Sequence, residues 1–257
     1  MSSSDSSAPG SLRCDNLRKS FNGVLALRDV TLNLPGQGII AIIGPNGAGK
    51  TTLINLLTGF IRPDSGSCRF GGRELTRLRP YQIARLGLAR TFQDVRIVAG
   101  MSVVENVMLA CPQPHSDGLW GTLIGRQVRL DEQRVRQSAI EALGFAGLDR
   151  ESSRMGGAIS YGQQKLLTLA CCLASGANAL LLDEPVAGVH PQMSGQIISL
   201  LRELKHQGKL IVFIEHDIAA VRELADEVIV LDGGKVIAQG QTAEVLGRRD
   251  VVEAYLG

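Results

Sequence analysis

A chain of 257 residues is long enough to bury a large core as one domain, with room for an inserted subdomain. Its composition, 44% apolar and 20% charged, is ordinary for a globular protein, and a net charge of +2 gives no global electrostatic case for a nucleic-acid partner. No apolar run approaches the ~20 residues of a membrane span. The five cysteines (Cys14, Cys68, Cys111, Cys171, Cys172) show neither C-x-x-C nor zinc spacing, which fits a reducing compartment.

Residues 1–11 are Ser-rich and polar, without an apolar h-region, and read as a disordered lead-in rather than a secretory signal. Leu12–Leu17 and Val24–Leu34 read as strands around a loop, Lys19-Ser20-Phe21-Asn22-Gly23. Phe21 on that loop is either a hairpin core aromatic or a flat surface for a nucleobase. Ile39–Ile43 is a short β-branched run, a buried strand. It leads into Gly44-Pro45-Asn46-Gly47-Ala48-Gly49-Lys50-Thr51-Thr52, after which Leu53, Leu56, Leu57 and Phe60 recur at helical spacing and Gly59 offers a stop.

Strand, glycine loop and helix are the context that G-x-x-x-x-G-K-[ST] requires. Glycines let the backbone turn its N–H groups inward on phosphate oxygens, and the helix adds the positive end of its dipole. Lys50 then supplies a point charge to the β- and γ-phosphates, and the Thr51 hydroxyl a ligand for Mg²⁺.

Beyond Phe60, Pro63–Gly66 is a turn, Ser67–Phe70 a short strand, and Pro80 opens a helix to Leu86. Ala89–Asp94 reads as a strand ending in polar residues, among them Gln93. Ser102-Val103-Val104-Glu105 is a capping-box pattern opening a helix to about Ala110, Pro112–Gly125 an irregular insert, and Asp131–Leu143 an amphipathic helix. Ser160-Tyr161-Gly162-Gln163 opens another helix, apolar through Leu173, with Ser160 as N-cap or as part of an anion site. The loss of strand runs marks a helical subdomain over roughly 94–175.

Ala179–Leu182 is an apolar strand ending in Asp183-Glu184. Beside a phosphate loop, the first carboxylate belongs to the Mg²⁺ shell and the second can polarise an attacking water. Pro191–Gln207 is an amphipathic helix and Lys209–Ile214 a buried strand that closes on Glu215-His216-Asp217. His216 could donate to a γ-phosphate or be a satisfied structural residue. A helix to Ala225, a strand Glu227–Leu231, the hairpin signal Asp232-Gly233-Gly234, a return strand Val236–Ala238 and a short helix Val251–Leu256 complete the chain. The expected fold is α/β: a P-loop NTPase core of mixed, mainly parallel sheet, with an antiparallel β subdomain and an inserted α-helical subdomain.

Together these pieces resemble the ATP-binding subunit of an ABC transporter, over about 12–257 as a single cassette. Phe21 falls at the adenine-stacking aromatic, Gly44–Thr52 at the phosphate loop, and Gln93 at the Q-loop. Ser160–Gln163 falls at the signature, Leu180–Glu184 at the carboxylate-tipped strand, Ala187–Pro191 at the D-loop, and His216 at the switch histidine. Within the family the chain looks like the ATPases of branched-chain amino-acid importers. That likeness rests on Ala89-Arg90-Thr91-Phe92-Gln93, Met101–Asn106, Ser160–Gln164, Ile214–Asp217 and the ending Glu253–Gly257. Urea importers and lipopolysaccharide exporters use similar ATPases. Soluble relatives in translation or DNA repair have paired cassettes or a split one, unlike this chain.

The resemblance implies ATP and Mg²⁺, a second ATPase subunit (the same chain or a paralogue), transmembrane permease subunits and, indirectly, a substrate-binding protein. It implies no nucleic acid, and a peripheral place on the cytoplasmic face of the inner or plasma membrane. Glu184, His216 and Gln93 would be catalytic, Thr51, Gln93 and Asp183 would hold the metal, and Ser160, Tyr161, Gly162 and Gln163 would cap the ATP of the partner. Two departures stand out. The usual Leu-Ser-Gly-Gly-Gln is Ile159-Ser160-Tyr161-Gly162-Gln163, the tyrosine being usual in the amino-acid importer branch. His190 stands in the D-loop where Asp or Asn is expected.

Overall fold

The computed structural model describes residues 10–91, 96–112 and 125–256, the side chains of 125–130 and 254–256 excepted. Gln93 and most of the irregular insert lie outside these residues. The chain divides into two compact units, the described parts of Met1–Arg90, Asn178–Ala187 and Leu201–Gly257 in one and of Thr91–Ala177 and Gly188–Leu200 in the other.

In chain order the first unit opens with β1 (Leu12–Phe21), β2 (Val24–Leu34), β3 (Gly38–Ile43), α1 (Lys50–Leu57), β4 (Ser65–Phe70), β5 (Arg73–Glu74), α2 (Pro80–Arg85) and β6 (Leu88–Arg90). The second unit then contributes α3 (Val103–Ala110), α4 (Gly125–Phe145) and α5 (Tyr161–Ala174). After β7 (Ala179–Asp183), α6 (Pro191–His206) has residues in both units. The first unit ends with β8 (Leu210–Ile214), α7 (Ile218–Leu224), β9 (Glu227–Asp232), β10 (Lys235–Gln241), α8 (Thr242–Val245) and α9 (Arg249–Leu256).

A six-stranded sheet runs β10-β9-β3-β8-β7-β6, parallel throughout except for β10, which returns antiparallel on β9. All five residues of β8 and all but the first of β3 are buried, as strands covered on both faces must be. Each buried aliphatic side chain there contributes about 1.5–3 kcal/mol of transfer free energy. A four-stranded antiparallel sheet, β2-β1-β4-β5, shares one apolar cluster with the parallel sheet and α1, including Leu17, Leu32, Leu53, Leu57, Ile40 and Val212. Mixed sheets with helices make this the α/β fold that the sequence leads one to expect.

The register corrects one expectation. The loop expected over Lys19–Gly23 is shorter: β1 continues to Phe21, and Asn22 and Gly23 turn the chain alone, with φ of 49° and 85°. Two successive positive values are what a two-residue hairpin demands. Of the strand expected over Ala89–Asp94, Ala89 and Arg90 lie in β6 and Thr91 does not, and positions 92–94 lie outside the described residues.

In the second unit α3, α4 and α5 pack pairwise around residues such as Val103, Val107, Leu143 and Leu167. The Ser102–Glu105 capping box is formed, the serine hydroxyl accepting the Glu105 N–H. Among the described residues no helix is long and apolar enough to cross a membrane.

Candidate phosphate and carboxylate site

The glycine loop leaves the C-terminal end of β3 and enters α1. Its shape is fixed by close backbone packing at both ends. At Gly44 (φ 150°) an added Cβ would fall 2.0 Å from the Leu231 carbonyl oxygen, and at Gly49 (φ 101°) 2.5 Å from that of Ala26. Ala48 is buried between them, while Asn46 and Gly47 are exposed. Lys50 is buried, and its ammonium donates to the carbonyls of Gly44 (2.7 Å) and Pro45 (2.9 Å). Burial is the main influence on its pKa and lowers it, while the Glu184 and then the Asp183 carboxylates push it back up. The lysine charge therefore lies within electrostatic reach of both carboxylates. Thr51 and Thr52 occupy the first turn of α1, where Gly49 gives no side-chain cap to the N–H groups.

Asp183 ends β7 with its side chain only 9% exposed. Burial, first of all, raises its pKa. Arg90 opposes that rise and Glu184 adds to it. Arg90 is the counter-charge, its Nη2 3.6 Å from the Asp183 Oδ2. The other arm of the guanidinium donates to the Asn55 Oδ1 (2.5 Å) and the Thr58 hydroxyl (3.4 Å), and the group stands 5.6 Å from the Phe60 ring centre. One arginine thus joins β6, α1 and β7.

Glu184 adopts φ 49°, and its N–H donates to the Ile214 carbonyl at 3.0 Å. Its Oε1 lies 3.3 Å from the His216 Nε2. Glu215 is buried, accepting the Val186 N–H on Oε1 (3.1 Å) and the His216 N–H on Oε2 (3.2 Å).

The donor set suits a hard divalent cation bound with phosphate. Among the described residues no group of three or more His, Cys, Asp or Glu forms an all-protein metal cage. A hydroxyl and one carboxylate, Thr51 and Asp183, match Mg²⁺, which commonly takes one or two carboxylates and completes its shell with water and substrate phosphates. A carboxylate whose ionised form is penalised by burial gains from a nearby cation.

Phe21 is 45% exposed at the hairpin tip, paired with Val24 and with the Lys19 ammonium 5.5 Å from its ring. Ser160–Gln163 belong to the second unit. Ser160 caps α5, its hydroxyl accepting the Gln163 N–H while its own N–H donates to the Gln163 side chain. The Tyr161 ring is exposed, with the Lys165 ammonium 5.4 Å away. At Gly162 an added Cβ would come within 2.5 Å of the Met193 Cγ. His190 is exposed, its Nδ1 accepting the Gln192 N–H at 3.4 Å.

The first unit therefore carries Phe21, the loop Gly44–Thr52, Asp183, Glu184 and His216, and the second carries Ser160–Gln163. Gln93 lies outside the described residues. Sequence reasoning passed over Arg90 and Glu215 as parts of this site. Their signal was a charged residue ending an apolar strand, Leu88-Ala89 before the one and Leu210–Ile214 before the other.

A family model described as ABC transporter matches residues 27–187. The chain is 37% identical to the probable branched-chain amino acid transport ATP-binding protein LivG of Archaeoglobus fulgidus, over 96% of this chain and 95% of that one. Its fold is similar to the crystal structure of a nucleotide-free ATP-binding cassette from an ABC transporter, with a TM-score of 0.83 at 32% identity over 96% of this chain and 98% of that one. It is also similar to the dimeric structure of a bacterial ABC transporter cassette, with a TM-score of 0.73 at 25% identity over 90% and 98%.

Proposed function

Since the chain belongs to the ABC transporter family and is an ATPase of that family, we propose that it powers the import of branched-chain amino acids as a peripheral subunit on membrane permeases. The observation that carries the reading is the row of groups past the C-terminal ends of β3, β7 and β8. These are Lys50 in a glycine loop, Asp183, and a Glu184 paired with His216 at 3.3 Å. Ligands of open parallel sheets bind at that edge. The cargo follows the printed name of the LivG relative and the tyrosine at position 161.

On this reading residues 12–257 act as one cassette. Its helical part, about 94–175, would receive the permeases' loops, and a substrate-binding protein would deliver the cargo. The main-chain N–H groups of Gly44–Thr52 and the Lys50 ammonium hold the phosphates, and Phe21 stacks on the adenine. Thr51 and Asp183, with Gln93, would hold Mg²⁺, which when bound would neutralise phosphate charge. Glu184 takes the proton of the attacking water, and His216 donates to the γ-phosphate. The Ser160 hydroxyl already accepts within its own helix and keeps an O–H to donate. With Tyr161, Gly162 and Gln163 it would cap the ATP held by a second subunit. ATP then joins two subunits, and loss of its γ-phosphate releases them.

Glu184→Gln tests the reading. Removing a general base costs about 10²–10⁴-fold in rate. The variant should bind ATP, hardly turn it over, and run as an ATP-bound dimer in size exclusion. Turnover within a few-fold of wild type would remove Glu184 as base. In cells, uptake of labelled leucine, isoleucine and valine should be lost with it, and loss of urea uptake instead would reassign the cargo.

A further inference from the structure

Glu215 carries a carboxylate that is 2% exposed and directly follows the all-buried strand β8. An apolar side chain would continue that strand at a lower solvation cost, because a buried charge is tolerated only where hydrogen bonds replace its water. Its two oxygens serve two different segments. Oε1 accepts the N–H of Val186, two residues beyond Glu184, and Oε2 accepts the N–H of His216. Glu184 itself is held at φ 49°, a left-handed conformation that a glutamate keeps only when its surroundings over-determine it. Two further links bind the same segments, the Glu184 N–H on the Ile214 carbonyl and the Glu184 Oε1 at the His216 Nε2.

We propose that Glu215 is a positioning residue for the reaction, a single buried carboxylate that sets the spacing of Glu184 and His216 by holding the backbone of both segments. The inference rests on the ATPase reading above. A carboxylate can accept on both oxygens at once, as Glu215 does here. A glutamine of the same size accepts on one side only and turns its NH₂ toward one of the two main-chain N–H groups, leaving that group buried without an acceptor.

The test uses the full-length chain with Glu215→Gln and Glu215→Asp, read in three ways: ATP turnover, nucleotide titration, and hydrogen exchange of the Val186 and His216 amides without nucleotide. Small misplacements of reacting groups cost up to about 100-fold in rate, so kcat should fall roughly 10- to 100-fold. Nucleotide affinity should hold within about twofold, the signature of a contact that matters only beyond binding. The amides of Val186 and His216 should exchange faster than in wild type, while those of α1 stay unchanged. Should the glutamine variant fail to fold, the aspartate variant keeps the charge, shortens the reach by one methylene, and should move the same readouts in the same direction. Turnover near wild type, amides that stay protected, or an affinity loss as large as the loss in kcat would each overturn the proposal. If the wild-type chain itself does not hydrolyse ATP, the ATPase reading fails instead, and the exchange measurement still decides whether Glu215 holds both segments.

Discussion

Phe21 sits in the last position of β1 opposite Val24, and both side chains are open to solvent. A hairpin core aromatic would be covered. The Lys19 ammonium near its ring is worth only about 0.5–1 kcal/mol at an exposed site, too little to demand an aromatic there. Stacking of a base on such a ring is worth ~1–3 kcal/mol, and about 1.4 kcal/mol is a factor of ten in affinity. Phe21→Ala should therefore weaken ATP binding roughly tenfold or more, with little change in melting temperature, while Phe21→Trp keeps binding. A nucleotide titration run beside a thermal melt separates the two effects, and lost stability with unchanged affinity would return Phe21 to a structural role. At this scale motif spacing singled out Lys50, Asp183 and Glu184 as candidates, and the fold brings their charges within reach of one another. The sequence was not legible for Arg90, whose partners are Asn55 in α1, Thr58 at the end of that helix and Asp183 in β7. No local pattern records a meeting of that kind.

Among the elements, the β1–β2 hairpin depends on Asp64, which lies outside it. One Asp64 oxygen takes the Lys19 ammonium at 2.7 Å, and the other takes both the N–H and the hydroxyl of Ser20. These bonds, the Lys19 contact first, hold the carboxyl pKa down at about 2. The sign follows directly. With a folded pKa below the unfolded value, near 3.8, the contribution is fully present above pH ~4 and is lost as the pH falls toward 2. Asp64→Asn should lower the melting temperature at neutral pH, and the gap to wild type should close between pH ~4 and ~2. Melts at pH 7, 4 and 2.5 check it, and a gap independent of pH would detach the effect from ionisation. The same tie explains why the hairpin loop reads too long in sequence. Lys19 and Ser20 look like polar loop residues, yet they are strand residues whose polarity is directed at Asp64. Elements with strong local signals were plain in advance, among them the Ser102 capping box, the helix start at Ser160 and the buried runs of β3, β7 and β8, while the capping box that Ser160 forms with Gln163 shows only in the structure. The two-residue β5 and four-residue α8 are too short for any period to show.

For the whole molecule, strand order rather than strand existence makes the site. β3 lies between β9 and β8, and β7 lies beside β8, so the glycine loop, Asp183 and His216 leave neighbouring strands at the same edge. Hydrophobic periodicity finds each strand and says nothing of its neighbours, so the sequence named the groups without showing which touch. The left-handed backbone at Glu184 sets sturdiness against activity at a single codon. That conformation costs a residue with a side chain about 1–2 kcal/mol, which glycine avoids. The half-exposed pairing with His216 returns part of that cost, about 0–1 kcal/mol for a surface pair. The substitution Glu184→Gly should thus give a more robust and inert protein. A saturation library at this codon, sorted for folded chain, should enrich glycine over glutamate, and the same library sorted for ATP-driven growth should deplete it. If folding alone already favours glutamate, the strain is not there. If Glu184 is the base, a lineage freed from the need for turnover should drift to glycine at this position early.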